Sequence, residues 1–283
     1  MPEGPEIRRA ADRIDRALSH APLLRIEYRV PRIARKARKL RGARIERVYS
    51  RGKALLIQFD CGLTHYSHNQ LFGEWEVTRK PPDTQDRRAV RVVLSTAACT
   101  ATLYSATEIE LLPTREVERH PYIARLGPDA LDRTTTVAQV RARLLDAEFR
   151  NRSLSSLLLD QHFVAGLGNY LRSDILHAAA LPPAARPREM DAAQCTRLAS
   201  EILRVTRQSY RAGGITNDLA RARAARHGGA SHEESRFLAY GREGAPCWTC
   251  GTAIVRDDAG GRGLFHCPAC QLPLRPVPSR MRR

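Results

Sequence analysis

Four cysteines near the carboxyl end have the spacing of a metal site. Cys247 and Cys250 form one Cys-x2-Cys pair, Cys267 and Cys270 form a second, and sixteen residues separate the two pairs. Each pair can occupy a tight turn and supply two thiolates, which together make the ligand set of a tetrahedral structural zinc. Two disulfides are the alternative, but the sequence shows no signal peptide and no dense cysteine framework. We therefore expect one structural Zn²⁺, with no open coordination position for catalysis.

The amino terminus, MPEGPEI, offers a nucleophile. If Met1 is removed, Pro2 becomes a secondary amine with a pKa of roughly 8 in the free state. Attack of such an amine on the anomeric carbon of a sugar gives an iminium ion, which acts as an electron sink. Many chains begin Met-Pro, however, and proline is common before a helix, so the position alone favours a structural role.

Three charged residues are candidates to act together with this amine. Glu3 and Glu6 flank a predicted helix start, where acidic side chains complement the helix dipole. Two carboxylates beside a free amine also provide a general acid and a structural partner that orients the amine. Lys53, in SRGK, precedes the predicted strand ALLIQF, and a basic residue there is more often solvated than functional.

The segment SHNQLFG, residues 67–73, lies at a predicted hairpin turn and contains candidate residues for a wedge between stacked bases. A polar, an aliphatic and an aromatic side chain together can fill the gap left by an unstacked base, and these would be Gln70, Leu71 and Phe72. The same three residues fit a buried strand equally well.

The charge of the chain indicates a polyanionic partner. Its 283 residues include 47 Lys+Arg and 30 Asp+Glu, which gives a net charge of +17. All but four of the basic residues are arginines, whose planar guanidinium groups bind phosphate through two N–H donors at once. No apolar run is long enough for a membrane span, so nucleic acid is favoured over a membrane surface. Three further cysteines lie far apart without a pairing pattern, which indicates a reducing cytoplasm; they are Cys61, Cys99 and Cys195.

The residue pattern divides the chain into a strand-rich part and a helical part. Apolar spacing predicts an amphipathic helix over Pro5–Leu18, and short β-branched runs between residues 23 and 112 predict an antiparallel sandwich or barrel. Helical spacing then returns, and the predicted helices span Val137–Leu145, Leu154–Gln161, Asn169–Ala179 and Ala192–Tyr210.

The segment AGLGNY predicts a glycine turn between two of these helices. We expect Gly166 and Gly168 to adopt positive φ and Asn169 to cap the next helix, so that the turn presents N–H groups to a phosphate. A purely structural helix hairpin also uses glycine there.

Two segments lack an apolar face. Residues 211–232 are rich in Gly, Ala and Arg, and we interpret them as a mobile, cationic connector. The last residues, RPVPSRMRR, read as a short basic tail without structure.

An ordered set of motifs resembles the Fpg/Nei family of bifunctional DNA glycosylases over nearly the whole chain. The motifs are MPEGPEIRRAADRI, RGKALL, YSHNQLFG, HPYIARLGPD, FRNRSLSSLLLDQHFVAGLGNYLRSDIL and the four cysteines. The start PEGPEIRRA is similar to the endonuclease VIII (Nei) branch. The resemblance implies an α+β multidomain fold with four parts: an N-terminal catalytic helix and antiparallel β-sandwich (1–114), a helix-two-turn-helix domain with the connector (115–232), a zinc ribbon (233–273) and the tail (274–283).

The resemblance also implies residue roles. Pro2 would be the Schiff-base nucleophile, Glu3 the proton donor for base release with Glu6 beside it, and Lys53 the proton donor in β-elimination. Arg262 occupies the position of the arginine that contacts the lesion phosphate and assists δ-elimination. The DNA contacts would come from Gln70, Leu71, Phe72, Arg125 and Asn169. Nearby cations would favour the neutral form of the amine.

The implied partner is duplex DNA with oxidised bases or abasic sites, bound by a monomer at the bacterial nucleoid. Oxidised pyrimidines are the expected substrates, with oxidised purines and formamidopyrimidines as the alternative. A damaged-DNA-binding protein without catalysis is the other class, and a zinc-dependent hydrolase fails because four cysteines close the metal site. Phe72 stands where the Nei branch often has tyrosine. Residues 213–237 match neither branch cleanly, and YGREGAPC, residues 240–247, is more similar to the purine-directed branch, which leaves the choice of lesion open.

Overall fold

The computed structural model describes residues 2–79, 87–258 and 260–274. The chain forms two compact units, Met1–Arg125 and Leu126–Arg283. The boundaries expected from the sequence at residues 114, 232 and 273 remain a prediction. Among the described residues, no helix is both long enough and apolar enough to cross a membrane.

The first helix, α1, spans Gly4–Leu18, so its prediction is confirmed to within one residue. Pro5 lies in the first turn, where its missing N–H removes no helical hydrogen bond. The buried face consists of residues at helical spacing, among them Ile7, Ala11, Ile14 and Leu18. This face packs into the core of the first unit and thereby fixes the direction in which the amino terminus leaves the helix.

Among the described residues of the first unit, eight strands form two four-stranded antiparallel sheets. They are β1 (Arg25–Tyr28), β2 (Ile45–Arg51), β3 (Ala54–Phe59), β4 (Leu63–His68), β5 (Glu74–Thr78), β6 (Val90–Ser95), β7 (Thr100–Tyr104) and β8 (Glu108–Pro113). One sheet has the order β1-β6-β7-β5 and the other β2-β3-β4-β8. Both contribute to one apolar core, for example through Ile57 and Leu103, which makes the unit a β-sandwich and confirms the predicted fold.

A second helix interrupts the strand-rich part. Helix α2 covers Pro31–Ala37, a stretch that the sequence predicted as part of a strand region. Pro31 lies at the helix start, and only Ile33 of this helix is buried. One apolar contact per helix gives no periodic signal, which explains why the pattern missed it.

The second unit is helical, as predicted. Its main helices are α3 (Val137–Leu145), α4 (Leu154–Leu157), α5 (Asn169–Ala178) and α6 (Ala192–Arg211). Helix α4 is shorter than the predicted Leu154–Gln161. The Asp160 carboxylate accepts the His162 N–H at 2.8 Å, and this local turn ends the helical path.

The sequence reading missed two helices, one within the predicted connector, residues 211–232, and one that begins at its last residue. Helix α7 spans Leu219–His227 and α8 spans His232–Arg236. The Asp218 side chain caps α7 by accepting the Arg221 N–H at 2.9 Å. Ala222 is the buried residue of α7, so the helix has almost no apolar face from which it could be predicted. The mobility expected for this segment remains a prediction.

Strands β9 (Val255–Asp258) and β10 (Gly263–His266) form an antiparallel pair between the two cysteine pairs. This is the ribbon expected from the cysteine spacing. Nearly all of the predicted basic tail, residues 275–283, lies outside the described residues.

Candidate active site

The amino terminus is held by its own helix cap. Glu3 is only 2% exposed, and its backbone N–H donates to Glu6 Oε2 at 3.0 Å. Glu6 also forms an ion pair with Arg9 at 2.9 Å. The Glu6 carboxylate therefore acts as a cap and an ion-pair partner, which fixes the direction of Pro2 and Glu3.

A concavity of about 340 Å³ brings Pro2 together with two of the wedge candidates. Its lining includes Pro2, Glu6, Arg9, Arg13, Asn69, Leu71, Phe72 and Trp75. Leu71 is 60% exposed and Phe72 is 77% exposed, so these two are not the buried strand residues of the alternative interpretation. Two guanidinium groups, the carboxylates of Glu6 and Glu74 and two exposed apolar side chains thus lie around Pro2. The cations and the apolar side chains suit a sugar phosphate with an unstacked base.

The turn that carries the wedge candidates is rigidly bonded. The Gln70 side chain donates to Glu108 Oε2 at 3.0 Å and accepts from Thr107 Oγ1 at 3.1 Å, while its backbone has φ of +50°. The Gly73 N–H donates to the Asn69 carbonyl at 2.7 Å. The prediction of a hairpin is wrong, because β4 and β5 belong to different sheets and the turn passes between them. A connection between sheets leaves its tip without strand neighbours, which accounts for the exposure of the apolar side chains.

Lys53 is buried, with 8% exposure, against the expectation for a solvated strand entry. It follows Gly52, whose φ of +58° closes the tight turn between β2 and β3, and its backbone N–H donates to Tyr122 Oη at 3.0 Å. Burial lowers the pKa of His68, Glu108 opposes this effect, and the charge of Lys53 adds to it. Lys53, His68, Glu108 and Tyr122 thus form a polar group that sequence reasoning did not identify beyond Lys53.

Arg125 ends the first unit as an exposed cation. It lies in the short 3-10 helix Ile123–Arg125, and its Nε donates to the Pro121 carbonyl at 2.9 Å. This bond orients the guanidinium and leaves other donors of the fork available to a phosphate.

The glycine turn before α5 differs in detail from the prediction. Gly166 has the expected positive φ of +93°, but Gly168 is extended with φ of −144° and is itself the helix cap residue. Asn169 is the first residue of α5 and does not cap it; its Nδ2 donates instead to the Gly263 carbonyl at 2.9 Å. The turn is organised by Gln161, whose Oε1 accepts the Gly166 N–H at 3.1 Å.

Arg262 is exposed and lines a second concavity, of about 500 Å³, within the second unit. The other lining residues include Ser153, Ser155, Ser156 and Arg172. The exposed guanidinium group of Arg262 and three hydroxyl groups suit a phosphate. Because Asn169 bonds to Gly263, the residue after Arg262, these two predicted DNA contacts lie next to each other.

The four predicted metal ligands form one cluster. The sulfur atoms of Cys247, Cys250, Cys267 and Cys270 all lie within 4.8 Å of one another. The Cys247–Cys270 and Cys250–Cys267 sulfur distances are 3.9 and 3.5 Å. A tetrahedron with arms of about 2.3 Å has edges of about 3.8 Å, so the cluster fits a four-coordinate metal ion.

Helix α5 attaches the ribbon to the helical unit. The Ser173 hydroxyl oxygen accepts the Phe265 N–H at 3.3 Å, and His177 Nε2 lies 3.2 Å from Cys247 Sγ. With Asn169, these contacts recur at helical spacing along one face of α5. The face that carries the predicted DNA contact therefore also supports a predicted metal ligand.

Asp174 is a buried carboxylate that sequence reasoning missed. It accepts the backbone N–H groups of Leu238, Ala239 and Tyr240 at 3.1, 2.8 and 2.9 Å, and also the Thr216 hydroxyl. These bonds attach the chain on both sides of α7 and α8 to α5. An acidic residue directly before the apolar pair Ile175 and Leu176 of a predicted helix is the signal that could have found it.

Comparisons with known proteins agree with this architecture. The family model described as the formamidopyrimidine-DNA glycosylase N-terminal domain matches residues 1–119, and the H2TH domain of the same glycosylase matches residues 126–220. Together these two matches cover both the β-sandwich and the helical unit. The chain therefore belongs to the Fpg/Nei family of DNA glycosylases, and the family prediction is confirmed.

Two curated relatives are similar over their full length. Endonuclease 8 of Klebsiella pneumoniae subsp. pneumoniae is 44% identical, and Endonuclease 8 of Escherichia coli is 42% identical. Both alignments span 271 residues, 96% of this chain and 100% of the relative. The expected similarity to the Nei branch is confirmed.

Solved structures share the fold at lower identity. Lactococcus lactis formamidopyrimidine-DNA glycosylase, bound to DNA containing an AP site, has a TM-score of 0.78 at 20% identity. The same enzyme with DNA containing N7-benzyl-Fapy-dG has a TM-score of 0.80 at 21% identity. Each match covers 96% of this chain and 100% of the solved chain, which establishes the common fold.

Proposed function

We propose that this protein is a bifunctional DNA glycosylase and AP lyase that releases oxidised pyrimidines from duplex DNA. The observation that carries the proposal is the concavity in which Pro2 and the Glu6 cap face the exposed Leu71 and Phe72. The 44% identity to an Endonuclease 8 over its full length supports this activity and the pyrimidine substrates.

The reaction begins when the damaged nucleotide leaves the base stack. Flipping costs a few kcal/mol and costs less for a weakly paired base, which supplies part of the selectivity. Leu71 and Phe72 fill the space that the nucleotide leaves, and Gln70 anchors their turn through Glu108. The cations Arg125 and Arg262, together with the Asn169 amide, bind the phosphates.

Pro2 then attacks the anomeric carbon while Glu3 delivers a proton to the departing base. The bond to the base breaks and the Pro2 nitrogen loses its proton. The C1′–O4′ bond then opens as O4′ takes up a proton, so the open-chain sugar remains attached to Pro2 as an iminium ion. The iminium acidifies C2′, which loses a proton to water; the freed electron pair forms the C2′–C3′ double bond as the C3′–O3′ bond breaks, with Lys53 as proton donor to the departing phosphate oxygen.

The four cysteines hold a structural Zn²⁺. The ion supplies no chemistry, because four thiolates leave no open position. Its contribution is to fix the ribbon that carries Arg262. Thiolate ligands require a reducing compartment, and we place the enzyme in the bacterial cytoplasm at the nucleoid.

A panel of single-lesion duplexes tests the substrate class. Thymine glycol and dihydrouracil are expected to be released faster than 8-oxoguanine and formamidopyrimidines. Faster release of the purine lesions would reject the pyrimidine assignment and favour the purine-directed alternative, which the similarity of YGREGAPC to that branch supports. Pro2→Gly is expected to lose most release activity, and an unchanged rate would reject Pro2 as the nucleophile.

A further inference from the structure

Arg172 on α5 is the largest fully buried side chain of the described residues, with 1% exposure. A buried guanidinium loses the hydration of its charge, so it is stable only when protein groups accept its N–H donors. The neighbours of Arg172 therefore indicate what it holds together.

Its donors reach three elements of the second unit. Nη2 donates to Asn169 Oδ1 at 2.6 Å and to the Gly263 carbonyl at 3.3 Å. Nη1 donates to the Ser155 carbonyl at 3.4 Å. One fork thus joins the start of α5, the beginning of β10 and helix α4.

The Gly263 carbonyl accepts a second bond, from Asn169 Nδ2 at 2.9 Å. Asn169, Arg172 and Gly263 therefore form a closed set of hydrogen bonds, in which Asn169 Oδ1 accepts from Arg172 and one of the two Nδ2 N–H donors binds Gly263. The second N–H of the amide remains for a phosphate. Gly263 follows Arg262 directly, so this set fixes the backbone from which the exposed Arg262 side chain extends. Arg262 and Arg172 line the same concavity, with Ser155 on its wall.

We propose that Arg172 is a positioning residue that sets the place of Arg262 relative to Asn169 and thereby controls the δ-elimination step. This inference rests on the proposed function. In δ-elimination the unsaturated iminium loses its C4′ proton to water, and the freed electron pair extends the conjugated double bonds. The C5′–O5′ bond then breaks, and its electron pair leaves with the phosphate, whose charge a well-placed guanidinium stabilises.

The test replaces the guanidinium group of Arg172 by the single ammonium group of a lysine. Arg172→Lys retains the charge but cannot serve three acceptors in different directions. In single-turnover cleavage of an abasic duplex, the ratio of δ- to β-elimination product is expected to fall by about 10- to 100-fold, the effect of displacing a reactive group by about 1 Å. Borohydride trapping of the sugar on Pro2 is expected to stay unchanged, because Pro2 makes none of these contacts.

Arg207→Lys is the matched control. Arg207 also bridges three carbonyls of the second unit, those of Ala130, Asp132 and Thr135, at 3.2, 2.9 and 2.7 Å. Its replacement is expected to leave the product ratio unchanged. Addition of Arg172→Lys to Arg262→Ala is expected to lower the ratio no further than Arg262→Ala alone, because Arg172 acts through Arg262.

A folded Arg172→Lys with the wild-type ratio would overturn the inference, as would a parallel fall in trapping and ratio. Arg172→Gln, which is shorter and uncharged, is the second variant and carries the same expectation. If neither variant folds while Arg207→Lys does, Arg172 is a core residue of the unit and the inference is wrong. Absence of trapping in the wild type would instead reject the proposed function.

Discussion

Phe72→Ala and Leu71→Ala are expected to slow release of a damaged base while leaving the fold intact. Phe72 is 77% exposed, so truncation removes roughly a quarter of the burial of a phenylalanine, or less than about 1 kcal/mol of stability. Stacking of a base against an aromatic side chain contributes about 1–3 kcal/mol. The rate of base release is therefore expected to fall roughly 5- to 150-fold.

Leu24→Ala provides the matched control. Leu24 lies in the same unit and is 71% exposed, close to the exposure of Leu71, but it lines no part of the concavity that contains Pro2. Its truncation is expected to change neither thermal stability nor activity. The assay is single-turnover release of thymine glycol from a duplex, with unfolding temperatures measured in parallel. Wild-type rates in Phe72→Ala and Leu71→Ala, or an equal loss of rate in Leu24→Ala, would refute the wedge role.

Three further outcomes are expected. Gly73→Ala is expected to destabilise the protein by about 1–3 kcal/mol, because a Cβ would lie 2.6 Å from the Asn69 carbonyl oxygen. Gly228→Ala, whose Cβ would have no contact closer than 3.4 Å, is expected to leave the free energy of unfolding in urea unchanged. Equal effects of the two substitutions would contradict this expectation. Burial lowers the pKa of His65 to about 3, so the unfolded chain takes up a proton between about pH 6.5 and 3 that the folded state refuses. The free energy of unfolding is therefore expected to decrease as the pH is lowered through that window, by up to about 1.4 kcal/mol per pH unit, and to decrease less steeply in His65→Gln. Parallel pH profiles of the two proteins would exclude His65 as the source of this pH dependence. Cys267→Ser is expected to lose the bound zinc measured by mass spectrometry of the native protein and to lower the unfolding temperature, and full zinc retention would reject the four-cysteine site.

Local patterns in the sequence carried much of the fold. Helices α1 and α6 bury residues at regular helical spacing, so their bounds were predicted to within one residue. The cysteine spacing indicated the ribbon because each ligand pair is local in sequence. Helices α2 and α7 bury one residue each and were missed for that reason.

Residues that depend on distant partners could not be predicted. Arg172 and Asp174 are buried polar groups whose acceptors and donors lie up to 91 residues away in sequence, and nothing local indicates those partners. The position of Lys53 at a strand entry favoured a solvated residue, but Lys53 is buried and its backbone N–H donates to the distant Tyr122 hydroxyl. The DNA contact expected of Asn169 stays a prediction, and its side chain bonds to the ribbon and not to the helix start.

The most direct test of the central claim locates the covalent bond between enzyme and DNA. Protein from which Met1 has been removed is incubated with an abasic duplex and borohydride, and the trapped adduct is digested and sequenced by mass spectrometry. We expect the reduced sugar on the Pro2 nitrogen, and no adduct in a variant that retains one residue before Pro2. An adduct on Lys53, or equal trapping in the extended variant, would contradict the assignment of Pro2 as the nucleophile.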